Sequence, residues 1–155
     1  MQEILIKEAQ KHEINWINEQ YQEIGFIESN FKEEYIVIAY SDEKKAGLGR
    51  LVKIDHQNIE LGGIYVLPAF RGLKIAENIV SHLCQHNPFH ESIMWCLPFE
   101  KLSGFYQKFG FEPYIHSSVP MPEKISKKLE WCNSENRYEQ KVVLLYKRSL
   151  NIFFH

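Results

Sequence analysis

Between residues 35 and 83 the hydrophobic period of this sequence switches from that of strands to that of a helix, which leaves few architectures open. Tyr35, Ile36, Val37, Ile38, Ala39 and Tyr40 form a run of mostly β-branched and aromatic residues. Polar segments at 41–45 and 55–58 join it to apolar stretches at 46–54 and 59–67. Three consecutive strands with short polar connections make an antiparallel meander. Pro68 ends the third, because proline has no N–H for a sheet ladder. From Lys74 onward, Ile75, Ala76, Ile79, Val80 and Leu83 share one face of a helix. Strands that give way to an amphipathic helix bury it against the sheet they form, in an α/β or α+β layered domain.

The flanks extend this pattern. Residues 2–7 alternate apolar and polar side chains as a strand, and Ile14, Ile17, Tyr21 and Ile24 recur at helical spacing up to Gly25. After Asn87 and Pro88 stop the central helix, residues 93–97 read as a short buried strand. Leu102, Phe105, Tyr106 and Phe109 then define another amphipathic helix, with Gly110 as its stop. Residues 111–116 and 141–146 read as strands, and the segment between them carries no clear pattern. Residues 151–155 form an aromatic tail suited to packing on the domain or on a partner, and with the apolar last strand they allow a homodimer.

Composition sets the remaining bounds. The 155 residues suit a single domain, 1–155, with its own core. No apolar run approaches the roughly 20 residues that span a bilayer, and residues 1–8 lack the basic and apolar regions of a signal peptide. The expectation is a cytoplasmic protein with no membrane partner. A net charge of −2 and dispersed basic pairs speak against nucleic acid as a partner. Cys84, Cys96 and Cys132 are odd in number and widely spaced, so neither a disulfide framework nor a zinc site is expected. His82 and His86 lie four apart on the central helix, but no third ligand accompanies them, and no metal is expected.

The chemistry concentrates in residues 60–76, which read strand, Pro68, basic turn, helix. A helix N-terminus exposes unpaired N–H groups and the positive end of the helix dipole, a combination that binds anions such as a pyrophosphate. Arg71 adds a permanent cation with a fork that matches phosphate oxygens, and Gly72 lets the backbone approach a ligand closely.

This stretch resembles the acyl-CoA-binding motif of the GNAT N-acetyltransferase superfamily, Arg/Gln-x-x-Gly-x-Gly/Ala after a strand ending in Val-x-Pro. Arg71 and Ala76 match its first and last positions, while Lys74 stands where the motif has its central glycine. A side chain there crowds the pyrophosphate if the backbone needs glycine-like freedom; alternatively the N–H still donates and the ammonium adds charge. The segment 102–111, with Phe105-Tyr106 and Gly110-Phe111, resembles the superfamily's second signature. Two motifs in order with a strand between them, in a matching order of elements, extend the resemblance over nearly the whole chain.

The resemblance implies a mixed, mostly antiparallel sheet of about six to seven strands with one splayed parallel pair, flanked by about four helices. It implies acetyl-CoA as acyl donor, its pyrophosphate on Arg71, Gly72, Leu73, Lys74, Ile75 and Ala76 and its pantetheine along Ile64, Tyr65 and Val66. The implied acceptor is the primary amine of a small molecule, attacking directly in a ternary complex. Tyr106 matches the tyrosine that protonates the departing sulfur; otherwise it is one more aromatic on a buried helix face. Glu60 is a candidate general base or an edge carboxylate, and Tyr65 lines the acceptor pocket or the core. Cys132 lacks a neighbouring activator in sequence, which disfavours an acyl-enzyme. A non-catalytic acyl-CoA-binding module and a protein N-acetyltransferase are the alternatives.

Overall fold

A computed structural model of the chain describes residues 3–89, 92–115, 119–135 and 137–148. The strands are β1 (Ile4–Glu8), β2 (Glu34–Ser41), β3 (Lys44–Lys53), β4 (Asn58–Val66), β5 (Ile93–Cys96), β6 (Glu112–Pro113) and β7 (Leu145–Arg148). The α-helices are α1 (Ile14–Glu23), α2 (Ile75–Gln85), α3 (Ser103–Gln107) and α4 (Glu123–Cys132). The sheet is mixed, has seven strands in the order β1-β2-β3-β4-β5-β7-β6, and contains one parallel pair. The described residues fall into two compact units, one drawn from Met1–Lys53 and Leu61–Pro88, the other from Ile54–Glu60 and Phe89–His155.

In the first unit, β1, β2 and β3 form an antiparallel meander in which Ile38 opposes Leu48 and Ile36 opposes Arg50. The β2–β3 turn is tighter than the polar segment 41–45 predicts. Only Asp42 and Glu43 form it, both left-handed at φ 47° and 72°, the twist that a two-residue hairpin requires. Alternation then gives the sheet two apolar faces. On one, Ile17 and Tyr21 of α1 pack with Ile36, Ile38 and Leu48. On the other, α2 lies over Gly47 and Gly49. A Cβ on Gly49 would sit 2.6 Å from Ile79 Cγ2 and 2.8 Å from Ile64 Cδ1. The apolar stripe expected on α2 is buried at Ile75, Ile79, Val80 and Leu83, with Ala76 half-buried.

In the second unit, β7 pairs antiparallel with both β5 and β6. Its core is Trp95, Val119, Ile125 and Leu144, and Trp95 donates from its indole to Asn58 Oδ1 at 2.8 Å.

Three elements here depart from the sequence expectation. The patternless segment contains α4, which starts behind Pro122 and buries Ile125 and Cys132 on one face. The strand expected at 111–116 is only Glu112–Pro113, and its predicted end, His116, lies outside the described residues. The last strand starts at Leu145, not at 141. Residues 141–143 instead form a separate antiparallel bridge, with Val142 opposite Phe99, while the side-chain amide of Asn133 takes both backbone groups of Val142, each at 2.8 Å. Gln2 and the aromatic tail also lie outside the described residues.

Because Gly49 has no room for a methyl group, Gly49→Ala is expected to destabilise the fold by about 1–3 kcal/mol. Urea denaturation measures this, and an unchanged midpoint would mean that α2 shifts off the strand freely.

Candidate active site and family membership

The sequence-predicted cofactor residues come together in the first unit. Pro68–Phe70 form a single 3₁₀ turn, after which Arg71 is extended and Gly72 is left-handed at φ 86°. Lys74 then caps α2 in the left-handed conformation, φ 61° and ψ 25°. The backbone at the motif's central position therefore does require glycine-like freedom, and a lysine adopts it at a cost of about 1 kcal/mol or more. Local bonds hold it there: the Lys74 carbonyl accepts from the Asn78 amide at 2.8 Å and from the Asn78 N–H at 3.2 Å.

Arg71 is oriented from below. Its Nε donates to the Val66 carbonyl at 3.2 Å, and its guanidinium lies 5.9 Å from the centre of the Tyr65 ring. The last residues of β4 and the first residue of the turn are thus one connected piece. Among the described residues, no protein acceptor takes the N–H of Gly72, Leu73, Lys74, Ile75 or Ala76. The turn therefore offers backbone donors at a helix N-terminus, beside an exposed arginine and lysine, which suits a polyanion. Ile64, Tyr65 and Val66 are half-buried.

The two residues expected to move protons lie in the second unit, each with its own neighbours. Tyr106 on α3 is buried beside Phe111 and Phe105, at ring separations of 6.1 Å and 5.0 Å. Burial pushes its phenol well above the ordinary value, and the nearby Cys96 thiol adds to this. Glu60 on β4 forms an ion pair with Lys128 of α4, with 2.6 Å between Oε2 and Nζ. In sequence Lys127-Lys128 reads as one of the dispersed basic pairs on a solvated surface; α4, which starts behind Pro122, brings Lys128 to Glu60.

The other residues singled out by the sequence have simpler surroundings. Burial, partly opposed by Lys128, raises the Cys132 thiol, as suits an inert side chain. His82 and His86 stack at 4.1 Å, and burial followed by its neighbour His86 lowers the pKa of His82. Among the described residues, no three His, Cys, Asp or Glu side chains gather as a metal site. Nor does any helix of the described residues reach the length and apolarity needed to cross a membrane.

Residues 32–113, just over half of the chain, match the family model for the acetyltransferase (GNAT) domain. The chain belongs to the GNAT acetyltransferase family. No curated protein matches it in sequence. Solved GNAT-like structures share the fold at low identity. Rv2747 from Mycobacterium tuberculosis, crystallised with CoA, is 18% identical with a TM-score of 0.67, over 94% of this chain and 99% of that one. Naa50 from Arabidopsis thaliana, bound to the bisubstrate analogue CoA-Ac-MVNAL, is 17% identical with a TM-score of 0.63, over 93% and 97%. N-acetylglutamate synthase from Neisseria gonorrhoeae, with coenzyme A and N-acetyl-glutamate, is 15% identical with a TM-score of 0.66. That match covers 95% of this chain but only 35% of the synthase, so the chain spans about a third of its length.

Lys74 separates two contributions that variants can resolve. Lys74→Ala keeps the left-handed strain and removes the charge, whereas Lys74→Gly removes both. Lys74→Gly is expected to be about 1 kcal/mol more stable than Lys74→Ala in urea titrations. Both should lose the same fraction of CoA affinity, and less of it at high salt.

Proposed function

We propose that the chain acts as one domain, an acetyl-CoA-dependent N-acetyltransferase whose acceptor is the primary amine of a small molecule in the cytoplasm. The observation that carries this reading is Lys74. It accepts an unfavourable backbone conformation in the turn entering α2, where the motif has a glycine, so the shape of the turn is retained although the residue has changed. The donor's pyrophosphate sits on residues 71–76 and its pantetheine runs along Ile64, Tyr65 and Val66. CoA and a CoA-based analogue bound to GNAT-like structures support this donor.

The acceptor must arrive as a free amine, although an alkylamine with a pKa of about 10 is almost fully protonated at neutral pH. Glu60 is the proposed base. Its pairing with Lys128 identifies a carboxylate that already holds an alkylammonium, the group that an acceptor presents. Attack forms the C–N bond and an oxyanion; collapse breaks the C–S bond and releases CoA thiolate. Tyr106 is the proposed acid. A thiol has a pKa near 8.5, whereas that of this buried phenol lies above 10, so complete proton transfer runs uphill by about 2 kcal/mol or more. Tyr106 therefore serves chiefly as a hydrogen-bond donor to the developing thiolate, and the proton released from the amine balances the charge.

The same ion pair supports a second reading, a non-catalytic acyl-CoA-binding module in which Lys128 permanently occupies Glu60. CoA binding without CoA release across a broad amine panel would favour that module. A protein N-terminus as acceptor draws support only from the peptide-bearing analogue bound to Naa50.

Tyr106→Phe is expected to lower kcat by about 10²-fold while acetyl-CoA affinity changes little. Equal turnover by variant and wild type removes Tyr106 from this role. Glu60→Gln is expected to lower kcat/KM by a similar factor at pH 7. The deficit should shrink as pH rises towards about 10, where the acceptor deprotonates without help. A deficit independent of pH would mean that Glu60 acts on structure alone.

A further inference from the structure

The first unit contains a buried polar assembly that the proposed reaction leaves unexplained. Tyr21 of α1 is fully buried and donates from its hydroxyl to the Gly63 carbonyl at 2.8 Å. Above its ring, 4.2 Å from the centroid, lies the guanidinium of Arg50, itself only 7% exposed. Arg50 hydrogen-bonds the Ser29 hydroxyl and faces Glu34 Oε1 at 3.8 Å. Ser29 is pinned in turn by the Asn18 amide, which accepts from its N–H at 2.6 Å and donates to its carbonyl at 3.1 Å. Glu34 Oε1 is buried and lacks a hydrogen-bond partner among the described residues.

Such an arrangement is a poor way to stabilise a core, since an apolar cluster of the same volume usually does better than a buried ion pair. All of it converges on one peptide unit. Gly63 is left-handed at φ 61°, and a Cβ there would sit 2.5 Å from Tyr21 Oη and 2.8 Å from Arg50 Nε. Because the peptide joining residues 63 and 64 is planar and trans, its C=O and N–H point in opposite directions. Fixing the Gly63 carbonyl therefore fixes the direction of the Ile64 N–H. Accepting a hydrogen bond at the carbonyl also polarises that N–H into a stronger donor.

We propose that Tyr21, oriented by Arg50, is a positioning residue that aims the Ile64 N–H at the acyl carbonyl of the bound thioester. This rests on the acyltransferase reading above, in which Ile64 lies along the donor. The N–H then stabilises the oxyanion as it forms, and the side chains behind it never touch the substrate. Burial raises the Tyr21 phenol above its ordinary value, which favours the protonated form that donates.

The spectroscopic readout needs no acceptor. Infrared difference spectra of acetyl-CoA carrying ¹³C at the thioester carbonyl report its hydrogen bonding when bound. Wild-type protein is expected to lower the carbonyl stretch relative to free acetyl-CoA. In Tyr21→Phe the stretch should move back towards the free value, with acetyl-CoA affinity within about threefold and kcat lower by about 10-fold. Arg50→Lys, which keeps the charge but loses the planar stack, should move it the same way by less. A purely structural role would lower the melting temperature and leave the frequency and kcat of folded protein unchanged. Identical frequencies in wild type and Tyr21→Phe, or a wild-type stretch equal to that of free acetyl-CoA, overturn the proposal and leave the acyltransferase standing. Failure of the wild type to bind acetyl-CoA overturns both.

Discussion

Helix α2 can lie where it does because β3 has no side chains at residues 47 and 49. A Cβ at Gly47 would come within 2.8 Å of the Tyr65 carbonyl and 3.3 Å of Ile75 and Ile79. The helix thus rests almost on the backbone of β3, in contact through its first and second turns. That depth sets the place of its N-terminus, and the turn 71–76 must bridge from the end of β4 to that point. The left-handed residues Gly72 and Lys74 follow from the need to reverse the chain in so few residues. Arg71, bonded back to Val66, then ties the turn to the strand it has just left.

What the sequence revealed follows from the range of the forces involved. The meander, α1 and α2 were legible because their burial is periodic and their ends carry Gly25, Pro68 and Pro88, signals that act within a few residues. The second unit was less legible. Its helix α4 is half charged, with Ile125, Leu129 and Cys132 as its apolar stripe, a pattern too sparse to stand out among Glu and Lys. Val142 lies ahead of β7 in a separate bridge to Phe99, and the Asn133 amide takes both its backbone groups from nine residues away. No local pattern encodes such a contact.

The candidate site divides in the same way. Arg71 to Ala76 could be read because a helix N-terminus with an adjacent cation is a local device. Lys74 could be questioned from sequence, but only its dihedral angles decide that the position needs left-handed backbone. Glu60 is visible as a carboxylate, whereas its partner Lys128 lies on α4, whose apolar pattern is too sparse to mark a helix. The Tyr21, Arg50 and Glu34 assembly leaves no signal in the sequence. Its members are 13 to 29 residues apart in sequence, and nothing short of the folded meander brings a tyrosine from α1 to a glycine on β4.

Lys74 has one more consequence. A loop that needs its ligand to impose a strained backbone gives up part of its binding energy in ordering itself. Here the strained conformation is held within the chain, by Asn78 on the Lys74 carbonyl and by α2 seated on glycines. On the proposed reading of the turn as the donor's pyrophosphate site, it is already shaped before the ligand arrives, and association proceeds as a docking step with little loss of loop entropy.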